Sequence, residues 1–313
     1  MLKESFLEIE KNFEGTLEFD VPRAKYAYYR IGGVASVIAT PRTFQALKLI
    51  HEVLSSTEAP FFILGWGSNL LFSDEAFFGV VIRMKHLFVE IEELAEWNGK
   101  AGKFLKLGSS LGTSSLLKVA SERGYGNLSC LTGIPGSVGG MVSMNAGTHL
   151  GEFGGRVIQT DYVSLSEIGP LKLKTKIHEP TDFSYRKNNF LESTDLITHA
   201  YVEVESREKA LVKQEIDALY ERRKKTQPVN LPSCGSVFMN PVKPKLHAWQ
   251  VVDQLGLRGF KVGNAQISEK HSNFIVNLGG ASASDVRALI DLVKTRAKNE
   301  LGIDLVEEVK FIP

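Results

Sequence analysis

Two glycine-rich segments are the parts of this chain best suited to hold a charged ligand. The first, Gly65-Trp66-Gly67-Ser68-Asn69-Leu70, follows directly on the apolar run Phe61-Phe62-Ile63-Leu64. Glycine lets successive backbone amides turn inward, and a nest of inward amides can cradle a phosphate. It is not the dinucleotide fingerprint, because Leu70 stands where the third glycine would be, and no P-loop lysine follows. Taken alone, a tight turn is an equally good reading. The second segment, Gly133-Ile134-Pro135-Gly136-Ser137-Val138-Gly139-Gly140, leads through Met141-Val142-Ser143-Met144 into Asn145-Ala146-Gly147. Without the first segment, the loop-rich corner of a barrel is the better reading of it. As a pair beside apolar strands, the two suit a long ligand with a pyrophosphate and a flat ring system, which is the shape of FAD.

Other reactive residue types carry less information by themselves. With only Cys130 and Cys234, there is no disulfide framework and no ligand cluster for a metal. Cys234 reads as a small packing residue. A lone Arg or Glu is more often half of a surface ion pair, and a serine after glycine is more often a turn or cap residue.

The elements that must position these segments follow from periodicity. Thr43 opens a stretch in which Phe44, Leu47, Ile50 and Leu54 recur at helical spacing. Phe61 to Leu64 and Val80-Val81-Ile82 read as buried strands. A second helix, Ser114 to Arg123, stops at Gly124, where glycine can adopt the left-handed cap. The charged stretch Arg207 to Lys225 predicts a helix with Leu211, Ile216, Leu219 and Tyr220 as its apolar stripe. Beyond Pro228 and Pro232 come a helix ending at Gly256, a strand over Phe274-Ile275-Val276, and a long helix from about Ser284. Its Val286, Leu289, Ile290, Val293 and Ala297 share one face before Gly302. Val309 to Ile312 forms a final strand.

At 313 residues the chain exceeds one ordinary core. Its 43% hydrophobic and 23% charged content is that of a folded globular protein. Lys plus Arg number 37 against 36 Asp plus Glu, so the net charge of +1 gives no field to attract nucleic acid or anionic lipid. The opening MLKESFLEIEKNFEG has no secretory character, and no apolar run approaches a membrane span. A reducing, cytoplasmic setting is expected.

Tyr29-Arg30-Ile31-Gly32-Gly33-Val34-Ala35 and the two glycine segments resemble, in kind, order and spacing, the FAD-binding half of the UDP-N-acetylenolpyruvoylglucosamine reductase family. So do Tyr185-Arg186, Pro232-Ser233-Cys234-Gly235-Ser236-Val237-Phe238, Asn240-Pro241, Ala265 to His271, and the tail Glu308-Val309-Lys310-Phe311-Ile312. The glycine motifs alone indicate the wider flavoprotein superfamily related to vanillyl-alcohol oxidase, and the later motifs narrow it. The resemblance runs from about residue 20 to the end.

That resemblance implies non-covalent FAD, NADPH as hydride donor, and reduction of a UDP-sugar enolpyruvyl ether by a monomer. It implies that Arg186 and Glu308 stabilise the negative charge created by hydride addition, and that Ser236 donates the proton to the second alkene carbon. The glycine segments would hold the cofactor through Gly32, Gly33, Gly65, Gly67, Ser68, Asn69, Leu70, Gly133, Pro135, Gly136, Ser137, Gly139, Gly140, Asn145, Ala146 and Gly147. Tyr185, Lys225, Asn240 and His271 are the substrate candidates, with Lys224 adjacent to Lys225 as its rival for the diphosphate. Two positions depart from the family pattern. Asn188 replaces a small hydroxyl residue, and Met239 stands where Lys is frequent. The interval from Arg186 to Ser236 is too short for the tyrosine-bearing loop that some members fold over substrate, so a loopless type is expected.

The expected fold is α+β. Two subdomains, 1–85 joined by the tail 304–313 and 86–219, would hold FAD, with an α/β substrate domain over 220–303. A different FAD oxidoreductase acting on alcohols or sugars would lack the combination of Arg186, Ser236 and Glu308. A non-catalytic nucleotide-binding protein would need no Cys234-Gly235-Ser236.

Overall fold

The computed structural model describes residues 2–313. Helices and strands are mixed in an α+β arrangement, and the chain divides into two compact units. One comprises Met1–Phe19, Ser36–Trp66 and Phe78–Glu221; the other comprises Asp20–Ala35, Gly67–Phe77 and Arg222–Pro313.

The first unit contains two hydrophobic cores. One lies around a four-stranded sheet ordered Gly15–Pro22, Val34–Pro41, Phe77–Arg83, Phe61–Leu64, in which the last two strands run parallel with Phe61 opposite Val80. Helix Phe44–Thr57 buries Leu47, Ile50, Val53 and Leu54, and Thr43 caps it by accepting from the Ala46 amide at 3.1 Å. The other core is covered by a five-stranded antiparallel sheet ordered Lys174–Ile177, Val157–Ser164, Asp195–Glu203, Lys100–Gly108, Ile91–Trp97. Helix Thr113–Arg123 sends Leu116, Leu117 and Ala120 into it and stops at Gly124, whose φ of 80° is the left-handed value that favours glycine.

The charged helix, Lys209–Thr226, differs from expectation in its buried stripe. Val212 and Ile216 are its buried residues, while Leu211 is exposed. The pair Val212/Ile216 has i,i+4 spacing and therefore shares one face, which Leu211 does not join.

The second unit is built on helix Ala283–Leu301, which buries Val286, Leu289, Ile290, Val293 and Ala297. Ser282 and Asp285 form a capping box at its start, and Gly302 ends it at φ 69°. It packs with a three-stranded antiparallel sheet, Lys261–Val262, Ala265–Ile267 and Ile275–Asn277. The tail strand Lys310–Ile312 lies parallel to Leu70–Phe72, Lys310 opposite Leu70. Buried Arg23 ties the same region together, donating to the carbonyls of Gly33, Ser73, Glu75 and Pro313. Among the described residues no helix is long and apolar enough to cross a membrane, and no group of three His, Cys, Asp or Glu could hold a metal ion.

Candidate functional site

In the first unit, strand Phe61–Leu64 delivers Gly65 beside the cap of helix Val138–Ser143. A β-carbon on Gly65 would stand 2.9 Å from Ser137 Oγ, so the missing side chain is what lets the two glycine segments approach. Ser137 is the N-cap, its hydroxyl accepting from the Gly140 amide at 3.4 Å. A third segment, Gly108-Ser109-Ser110-Leu111-Gly112, joins them. Gly139 donates to Ser109 O at 2.8 Å, Val138 donates to Leu111 O at 2.9 Å, and a β-carbon on Gly112 would strike the Trp66 ring at 2.5 Å. Gly136 accepts from the amide and the hydroxyl of Thr113. Gly133, at φ 76°, turns the chain ahead of Pro135.

Three hydroxyls here lack protein partners. The Oγ atoms of Ser109 and Ser110 and the Oγ1 of Thr132 are buried and without a hydrogen bond among the described residues. An unpaired buried polar group costs about 1–3 kcal/mol, so such a cluster is what a polar ligand would complete. These residues fit FAD: glycines that admit close approach and hydroxyls ready to bond it. Reading the sequence missed Ser109, Ser110 and Thr132; the available signal was the run of small residues 108–112 at a strand-to-helix junction.

Gly32, Gly33, Gly67, Ser68, Asn69 and Leu70 lie in the second unit. Gly67, at φ 66°, has no room for a β-carbon, which would meet Tyr26 O at 2.3 Å. Ser68 sits in the following turn, and Leu70 begins the strand paired with the tail. Asn69 donates from Nδ2 to Glu308 O at 3.0 Å. Gly33 donates to Ser73 O at 2.8 Å, and Gly32 lies against Phe72, so this pair shapes the segment that follows Leu70.

Arg186, in the first unit, adopts the left-handed φ of 56°. Its Nη1 donates to Glu152 Oε1 at 2.8 Å, its Nη2 to Gly147 O at 2.9 Å, and its guanidinium carbon lies 5.0 Å from the centre of the Tyr185 ring. Asn145 is buried behind this pair. Its Nδ2 donates to Glu152 Oε2 at 2.9 Å and to Ser184 O at 2.8 Å, and its Oδ1 accepts from Gly154. Ala146 bonds Met141 and Phe153 through its backbone, and Gly147 pairs with Glu152 in a short hairpin. Asn188, the departure beside the Tyr-Arg motif, donates to Ser143 O and accepts from Leu191, which ties its hairpin to helix Val138–Ser143.

Ser236 and Glu308 are brought together in the second unit. The Glu308 amide donates to Val237 O at 2.8 Å, the residue next to Ser236, and Met239 donates to Val306 O at 2.9 Å. Asn273 fixes this segment, bonding the Phe238 amide through Oδ1 and the Phe238 carbonyl through Nδ2. Gly235 reaches φ 81°, which presents Ser236 after a turn that a side chain would strain. Cys234 is fully buried against Tyr29. Burial pushes its thiol up to about 12, with the Glu308 charge adding to the rise, so it stays protonated and inert.

The substrate candidates are spread over both units. Tyr185 is half exposed in the first. In the second, Lys225 is exposed in the basic last turn of its helix, and the neighbouring Lys224 offers its carbonyl to Lys270. Asn240 Oδ1 accepts from the Ala248 amide at 3.0 Å, at the start of helix Ala248–Gln254. His271 packs between Trp249 and Phe274, and burial, helped by Arg258, lowers its pKa.

Comparison with known proteins decides what this arrangement belongs to. Residues 227–312 match the family model for the UDP-N-acetylenolpyruvoylglucosamine reductase C-terminal domain, and residues 35–163 match an FAD binding domain. A UDP-N-acetylenolpyruvoylglucosamine reductase of Bacillus subtilis is 36% identical over 310 residues, covering 97% of each chain. The chain belongs to the UDP-N-acetylenolpyruvoylglucosamine reductase family. A second family member, from Clostridium perfringens, is 36% identical over 303 residues, 96% of this chain and 94% of its own. The crystal structure of the reductase from Thermus caldophilus superposes with a TM-score of 0.76 at 33% identity, covering 96% of this chain and all of the other. As a member of this reductase family, the chain has FAD as its cofactor, and the glycine segments Gly65–Trp66 and Gly133–Gly147 lie within the matched FAD-binding region.

Proposed function

We infer that this chain uses NADPH to reduce the enolpyruvyl group of UDP-N-acetylglucosamine enolpyruvate, giving the lactyl ether of UDP-N-acetylmuramate. The observation that carries this is similarity to reductases of that name along nearly the whole length of both partners. The match over the C-terminal domain favours this activity over another flavin oxidation of alcohols or sugars. FAD, when bound, supplies the relay of hydride from the nicotinamide to the alkene.

The protein's own share is charge and proton management. We propose Ser236 as the proton donor to the alkene carbon that does not receive hydride. A serine hydroxyl is a weak acid, so it serves only against a strongly basic carbanion and from a fixed position. Its place after a glycine turn, one residue from the bond that joins Val237 to Glu308, supports that role. Glu308 and Arg186 are proposed to stabilise the charge that develops on the carboxylate side of the alkene. Tyr185, Lys225, Asn240 and His271 are proposed to meet the UDP-sugar. Only residues 189–194 separate strands Lys187–Asn188 and Asp195–Glu203, which supports a site without a long tyrosine-bearing lid. A monomer in the cytoplasm is part of the same proposal, and two free, buried cysteines support its reducing setting.

The test is spectroscopic. Purified protein should be yellow, release its flavin on heating or acidification, bleach with NADPH under argon, and recover its colour when the UDP-sugar enolpyruvate is added. Colourless protein that takes up no FAD would overturn the reading.

A further inference from the structure

We propose that Glu152 is a positioning residue for Arg186, with Asn145 as its anchor, and that the pair fixes the guanidinium in its working orientation. The inference rests on the reading of Arg186 given above and adds to it Glu152, which has no role in that reading, and a second duty for Asn145 beside the cofactor role expected of it.

The geometry is that of a clamp. One carboxylate oxygen of Glu152 takes both the side chain of Arg186, at 2.8 Å, and its main-chain amide, at 3.4 Å. The other oxygen takes Asn145 Nδ2 at 2.9 Å. Arg186 Nη2 is held by Gly147 O, in the hairpin where Gly147 pairs with Glu152. Each terminal nitrogen of the guanidinium thus has an acceptor on this short hairpin, Glu152 for one and Gly147 for the other. An arginine otherwise distributes over many rotamers, and a planar fork held at two points loses that freedom before substrate arrives. Asn145 is 2% exposed and uses its amide nitrogen on Glu152 and Ser184 and its oxygen on Gly154, so it cannot turn away without breaking three bonds. The stretch around Asn145 therefore serves to brace the arginine as well as to continue the glycine segment.

Glu152→Gln replaces one acceptor oxygen by a donor. Whichever way the amide faces, its NH2 confronts either Arg186 or Asn145, and the clamp opens on one side. Displacement of a charged group by about 1 Å costs on the order of 10²-fold. Under anaerobic conditions, Glu152→Gln should therefore slow reoxidation of the reduced enzyme by the UDP-sugar enolpyruvate by roughly 10- to 100-fold. Bleaching by NADPH and flavin content should stay near those of the unaltered enzyme. Glu152→Asp, with the charge kept but drawn back by one methylene, should recover part of the loss and is the second variant if Glu152→Gln folds poorly.

The decisive measurement is the double variant. If Glu152 acts through Arg186, Glu152→Gln adds nothing to the slowed reoxidation of Arg186→Ala. Additive effects, or equal losses in flavin content and in both half-reactions, would make Glu152 a structural residue and overturn the proposal. Slow reoxidation in Arg186→Ala with normal reoxidation in Glu152→Gln would overturn it while leaving the role of Arg186 intact. Normal reoxidation in Arg186→Ala would remove the underlying reading and this inference with it.

Discussion

Ser236 and Glu308 are separated widely in sequence, yet the bond from the Glu308 amide to Val237 O and the bridge between Phe238 and Glu307 set their segments side by side. Their proposed roles are separable by substitution. Ser236→Ala should leave bleaching by NADPH unchanged and slow recovery of the flavin colour with substrate by roughly 10² to 10⁴-fold, the usual loss for a positioned acid. Glu308→Gln retains shape and a hydrogen-bonding amide but loses the carboxylate, so it too should slow recovery alone. Stopped-flow absorbance at the flavin band separates the two phases; both variants slowing NADPH oxidation only would place these residues on the wrong side of the reaction. None of this partnership is visible in a lone serine or glutamate. The family resemblance, and not residue type or spacing, pointed to Ser236, Glu308 and Arg186, and it did not point to Glu152 or Asn145 beside Arg186, because a hairpin that brings 145 against 152 and 186 leaves no periodic trace.

The elements that were legible are those whose burial is one-sided and local. Helices Phe44–Thr57 and Ala283–Leu301 have an apolar stripe at helical spacing and a polar cap, so pattern and structure agree. The five-stranded sheet was not legible. Strand Ile91–Trp97 carries Glu92, Glu93 and Glu96 on its exposed surface, and Glu92 reaches Lys106 on the next strand, so its polarity is satisfied by distant partners. Glycine positions show the same division between local and distant causes. A β-carbon at Gly33 would come within 2.1 Å of Glu75 O, a backbone atom that cannot step aside. At Gly65 it would meet only the hydroxyl of Ser137. Gly33→Ala should therefore lower the thermal midpoint strongly, whereas Gly65→Ala should weaken flavin retention with a smaller loss of stability. Differential scanning fluorimetry with and without added FAD distinguishes them; equal behaviour of the two variants would count against this assignment.

At the scale of the molecule, three sheltered histidines set the response to acid. Burial lowers the pKa of His51, His178 and His271 below the ordinary 6.5, with Glu52 and Asp182 opposing it at the first two and Arg258 reinforcing it at the third. The unfolded chain therefore binds these protons first. Their contribution is present in full above the unfolded value near 6.5 and is lost as pH falls below it, levelling off only beneath the folded values. Asp182 and Asp253 lie below their ordinary value, despite burial, because hydrogen bonds hold them charged, and they add a second loss at still lower pH. The thermal midpoint should thus decline between about pH 7.5 and 5.5, before any carboxylate titrates. A flat profile over that interval would refute the assignment, and His178→Asn should make the decline shallower.

Asn69 and Glu308 meet across 239 residues of chain, and Lys310–Ile312 closes the same connection by pairing with Leu70–Phe72. During translation this imposes an order of events. Leu70–Phe72 leaves the ribosome long before its strand partner exists, so the segment that follows Gly67 must wait, unpaired, for almost the entire remainder to be made. If that segment holds the flavin as proposed, flavin capture is expected to be a late step, gated by arrival of the tail rather than by completion of the glycine segments. A chain stopped after Leu305 would lack the strand, Glu308 and the Pro313 carbonyl that Arg23 engages. Such a chain should be recovered without flavin, if it is recovered folded at all. Yellow, stable protein from that truncation would show that the early-made segments can hold the cofactor on their own.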